Sequence, residues 1–147
     1  MLKKLQEFKT IIEQFDYTCN IIEKGELTPV DMLLVSLEDD SQAFAISILP
    51  LSEDLDGSFF VQFYYEYPFE ISPNEYSQIG SNIIAVNRQL PLGNFNYTIS
   101  NQQVYFKYVF ALPIKANLEP ANIADIVDMV VFAISNFGRF FESKNQE

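Results

Sequence analysis

Polar and apolar positions alternate along this chain in two different periods. Over residues 2–15 the apolar positions Leu2, Leu5, Phe8, Ile12 and Phe15 recur at helical spacing, with Lys3, Lys4, Glu7 and Glu13 off that stripe. This predicts an amphipathic first helix. Residues 17–23 (YTCNIIE) have the composition of a short strand, and pattern alone leaves open whether they join a sheet. GELTP then reads as a loop. Three strand segments follow, at 32–38, 42–50 and 58–70. The first two are separated by DDS and the last two by the polar stretch SEDLDG. The third is the clearest, with Phe59, Val61, Phe63, Tyr65 and Tyr67 on one face and Phe60, Gln62, Tyr64 and Glu66 on the other.

A second helix is signed at its start. Ser72 suits the N-cap, Pro73 the first helical position, and Glu75 closes a capping box. Tyr76, Ile79, Ile83 and Val86 form its inward stripe, and Pro91-Leu92-Gly93 ends the element. Residues 94–100 and 103–113 then read as a strand pair across a short Asn-Gln loop. In the second strand Val104, Phe106, Tyr108, Phe110 and Leu112 share a face. A long helix from about Glu119 to Phe141 closes the chain, with Ile123, Ile126, Val127, Val130, Ile134, Phe137 and Phe141 inward. Met129, Val131, Phe132 and Phe140 lie off that stripe. A helix apolar on more than one side needs a second burial surface, either a curling sheet or a second copy of the chain. The surface expected for a homodimer is Met129, Phe132, Asn136 and Phe140.

The order α-β-β-β-α-β-β-α, with strands grouped in meanders, predicts the α+β class: an antiparallel sheet with helices packed on one side. The 147 residues form one domain, long enough to bury a core without staples. Cys19 is the lone cysteine, which fits a reducing compartment. The apolar runs are short for a bilayer span, and the Lys-rich start lacks the pattern of a leader. The expected location is cytoplasmic, with no membrane association.

The net charge of −11 is unevenly placed. Between Lys24 and Arg88 there is no basic residue, yet that window holds 11 of the 20 acids. Such a surface disfavours nucleic acid and favours a cationic or amphipathic protein partner. The acids expected to face it are Glu38, Asp39, Asp40, Glu53, Asp54 and Asp56.

Catalytic chemistry is sparse. The chain has no histidine, which removes imidazole metal sites, histidine-dependent nucleophile systems and the usual general base. One cysteine builds no zinc or iron–sulfur site. No phosphate-binding glycine motif occurs. Ser52, Asp54, Asp56 and Gly57 match the start of a calcium loop, but Phe63 stands at position 12, where the template needs an acid. The paired acids Asp39–Asp40 and Asp54–Asp56 sit in predicted turns, unlike a half-buried general acid. Glu66, in a strand, has Lys107 as its one strand-borne base, and both are expected to face water. No cofactor and no enzymatic activity are expected.

The run NRQLPLGNF at 87–95, followed by a strand pair and a long terminal helix, resembles the YbjN family of bacterial proteins, labelled as sensory transduction regulators. At the residue level the likeness rests on Asn87, Gly93 and Phe95, then on the apolar strand 103–112 and the helix after LEP. The resemblance implies a fold like that of type III secretion chaperones, and a small acidic protein, often dimeric, that binds other proteins. The expected function is therefore a non-enzymatic protein-binding module of chaperone-like or regulatory type, acting as a homodimer. The alternative is a small-molecule-binding sensory domain with an apolar pocket between the sheet and the C-terminal helix.

Overall fold

A computed structural model describes residues 2–37, 42–49, 57–138 and 141. The elements in chain order are α1 (Leu2–Glu13), β1 (Cys19–Ile22), β2 (Met32–Ser36), β3 (Ala43–Ile48), β4 (Ser58–Glu66), α2 (Tyr76–Asn87), β5 (Asn94–Thr98), β6 (Gln103–Pro113) and α3 (Pro120–Phe137). The class is α+β, as the grouping of strands predicts. The short segment left open by its pattern does join the sheet: Cys19 pairs with Val35 and Ile22 with Met32. The order therefore gains one strand before α2.

All six strands form a single antiparallel sheet in the order β1-β2-β3-β4-β6-β5. Strand alternation sends Leu33, Val35, Phe44, Ile46, Val61, Phe63 and Phe106 to one face, where each is fully buried. The other face carries Asn20, Lys107 and Ala111 exposed, and Phe60, Tyr64 and Val109 half-buried. The helices cover only the first face. Leu5, Phe8 and Ile12 of α1 are buried beside β1 and β2, and α1 packs against α3. Ile123, Val127, Val130 and Ile134 of α3 complete the layer, and α2 sits by β5. At roughly 1.5–3 kcal/mol for each large side chain removed from water, this one-sided layer is the main source of stability.

The two helix starts and ends follow their sequence signals with shifts. The Ser72 N–H donates to Glu75 Oε1 at 3.1 Å and the Glu75 N–H to the Ser72 carbonyl at 2.9 Å. The first turn, Pro73–Glu75, is a tighter 3-10 turn, and the α-helix proper begins at Tyr76. At its far end α3 stops at Phe137, short of the expected Phe141. Gly138 follows, and a Cβ there would meet the Tyr67 ring at 2.5 Å. Strand β4 ends at Glu66 rather than 70. Beyond it Tyr67, Phe69 and Ile71 stay buried, held by isolated bonds from the Tyr67 N–H to Val104 and the Ile71 N–H to Gln102.

Candidate functional site

Helix α3 carries the first candidate surface. By length and mean hydropathy of 1.3 it is apolar enough to cross a membrane, so the expectation that every apolar run is too short holds only for unbroken runs. Its inward stripe, however, is spent on the sheet. Among the off-stripe residues the structure divides the roles. Val131 packs on the core, and Met129 is half-buried. Phe132 is 48% exposed and meets Phe137 edge-on, with ring centroids 6.1 Å apart. One turn on, Asn136 Nδ2 donates to the Phe132 carbonyl at 2.9 Å, an i to i−4 bond that fixes this side chain along the helix. Met129, Phe132 and Asn136 therefore share one helix face. Phe140 lies outside the described residues.

The six acids of the expected partner-facing surface, Glu38, Asp39, Asp40, Glu53, Asp54 and Asp56, also lie outside the described residues. They belong to two connections that leave β3 from its opposite ends. The calcium-loop residues Ser52, Asp54 and Asp56 share that status. Phe63, at the template's last ligand position, is fully buried in β4, which agrees with rejecting an EF-hand.

On the open face of the sheet, Tyr64 donates to Glu66 Oε2 at 2.9 Å and stacks on Tyr105 at 5.5 Å. Burial, followed by the bond to Glu66, raises the Tyr64 hydroxyl above its ordinary range. Glu66 stands opposite Tyr105, and Lys107 opposite Tyr64, so both charges do lie on this face. Among the described residues no ion pair joins them; the two ion pairs are Lys4–Glu7 and Lys9–Glu13, both within α1.

Clefts open between described residues at two places near α1. One, of about 340 Å³, is lined by Phe15, Asp16, Tyr17, Thr18, Leu37 and Val131, with Ser36 beside them. Its rim is tied by Tyr17 Oη donating to Asp128 Oδ1 at 2.5 Å. This is where a pocket between sheet and terminal helix is expected, but its walls mix polar and apolar groups. The other, of about 470 Å³, lies between α1 and the approach to α3, and includes Ile11 and Leu118. No group of three or more metal-ligating side chains converges among the described residues. Cys19 is buried in β1, where desolvation, with Glu13 adding to it, pushes its thiol up to about 11.

The residues carrying the family resemblance meet in space. Asn87, the last residue of α2, turns its carboxamide onto β5. Its Oδ1 accepts the Phe95 N–H at 2.7 Å and its Nδ2 donates to the Phe95 carbonyl at 3.0 Å. Gly93 has φ +73, and a Cβ there would lie 2.4 Å from Phe106. Phe95 is 1% exposed and packs on Phe106, Phe137 and Phe141. Sequence reasoning sees these as a helix end, a turn and a core ring, and misses that Asn87 closes the sheet edge. An Asn at a helix end eight residues before a strand Phe is the available signal. No protein-family model matches the chain, and no curated protein is significantly similar to it.

Proposed function

We propose that the protein is a non-enzymatic, cytoplasmic protein-binding module of chaperone-like or regulatory type, working as a homodimer. The YbjN-like order of elements and the type III secretion chaperone-like fold are part of this reading. The observation that carries it is Phe132. A large apolar ring stands 48% exposed on a helix whose other apolar residues are mostly buried, with Met129 and Asn136 on its face. Exposed rings on a rigid helix are the usual anchors of protein contacts. The absence of histidine and the buried, protonated Cys19 leave few groups for covalent or acid–base work.

Capture of the tagged protein from its own host's lysate, with Phe132→Asp beside it, tests this. A companion retained by the parent and lost with Phe132→Asp supports the reading. No companion with either, or one held equally by both, overturns the role of this face. The cleft of about 340 Å³ between the α1–β1 turn, β2 and Val131 favours a second reading, a small-molecule sensor. A metabolite panel read by thermal shift decides it, and a flat response retires it.

A further inference from the structure

The two edges of the sheet are finished differently. Backbone groups of an edge strand point alternately into the sheet and out of it. On β5 the outward residues are Phe95 and Tyr97. Asn87 takes both backbone groups of Phe95, and Asn96 Oδ1 accepts the Tyr97 N–H at 2.8 Å. Side chains thus take three of the four outward backbone groups on that edge. On β1 the Ser36 N–H donates to the Thr18 carbonyl at 2.9 Å, so Thr18, Asn20 and Ile22 turn inward to β2. Cys19 and Ile21 then turn their N–H and C=O groups outward, and no described residue takes them. An open edge is a template for another strand.

We infer that the β1 edge is a self-association surface, on which a second copy of this chain adds its own β1 antiparallel about a two-fold axis through Asn20. The inference rests on the homodimer part of the proposed function and names where the copies meet, leaving the α3 face free for a different partner. Charge allows this occupant. The chain carries −11 overall, but residues 1–24 hold four acids (Glu7, Glu13, Asp16, Glu23) against four bases (Lys3, Lys4, Lys9, Lys24). Like-charge repulsion between two copies is therefore weaker at the α1–β1 corner than over the segment between Lys24 and Arg88. The register is self-complementary as well. Pairing Asn20 with the second copy's Asn20 sets Cys19 beside the second copy's Ile21, both on the helix-covered face.

The test is the mass of the full chain by sedimentation velocity across a concentration series. The parent is expected to be a dimer. Of the backbone groups Ile21→Pro removes one outward N–H, so the β1–β2 ladder keeps its bonds; it also trims the Ile21 side chain from the edge of the core, and it is expected to be a folded monomer by far-UV circular dichroism. Should that variant misfold, Asn20→Lys supplies the second reading, since it sets like charges face to face at the two-fold axis. A dimer untouched by Ile21→Pro and Asn20→Lys but broken by Phe132→Asp overturns the edge assignment and leaves the homodimer standing. A monomeric parent overturns both.

Discussion

At the scale of single residues, the most consequential group is one that looks unremarkable in the sequence. The Asn87 side chain satisfies both backbone groups of Phe95, and Phe95 is central to the ring cluster at the end of α3. Replacing it by alanine leaves a donor and an acceptor without partners in a half-buried place. Asn87→Ala is therefore expected to cost about 1–3 kcal/mol, read as a lower urea midpoint at unchanged slope. An unchanged midpoint would mean water replaces the carboxamide freely. Cys19 makes a second case. Its thiol ionises near 9 in the unfolded chain and near 11 in the fold. A raised pKa means that the burial term is fully present below pH 9 and is lost as pH climbs towards 11. At pH 8 the folded protein should resist a water-soluble disulfide reagent and react only on adding denaturant. Fast labelling at pH 8 would show that β1 opens.

At the scale of elements, α3 illustrates how a helix end is set by a distant partner. Tyr67 Oη donates to the Ile134 carbonyl at 2.8 Å, one of the last-turn carbonyls that a helix cannot satisfy itself. The ring lies over Gly138, where a Cβ would come within 2.5 Å. Gly138→Ala should displace this ring and cost about 1–3 kcal/mol, while Tyr67→Phe, which keeps the ring, should cost about 1 kcal/mol. If both cost the same, the hydroxyl rather than the packing fixes the helix end. The period of α3 does not announce this stop, because the contact joins residues 67 apart in sequence. Elements whose stability comes from a local period were legible: β6 runs over the residues its alternation predicts, and Ser72 with Glu75 marks the start of α2 to within a turn. The four-residue β1 was not, since Cys-Asn-Ile-Ile is too short to show a period. Tyr67 and Phe69 read as strand because alternate burial continues after the ladder stops. The candidate site was half legible. The periodicity of α3 isolates Phe132 as off-stripe, but nothing in it separates Phe132 from Val131, which packs on the core. The edge roles of Asn87 and Asn96 are invisible without the pairing of β5 with β6.

At the scale of the whole molecule, the charge of −11 is a standing cost that folding increases by bringing acids together. Salt can screen that repulsion, and it has little attraction to weaken. Among the described residues the ion pairs are Lys4–Glu7 and Lys9–Glu13, each 2.9 Å, both local to α1. Exposed pairs one turn apart contribute only about 0.3–0.5 kcal/mol each. The bases near them are matched by equal acids, so the uncompensated charge lies in the segment between Lys24 and Arg88. The melting temperature at pH 7 should therefore rise as NaCl goes from about 0.02 to 0.15 M, over which the screening length shortens from roughly 20 to 8 Å. It should rise little more beyond that, once neighbouring acids are already screened from one another. A flat or falling melting temperature would mean that the 11 acids of that segment stand too far apart to repel, and that the β1 corner owes nothing to its neutrality. Self-association at that corner then becomes the less favoured arrangement on charge grounds, and the two measurements, mass and melting, bear on the same feature from opposite sides.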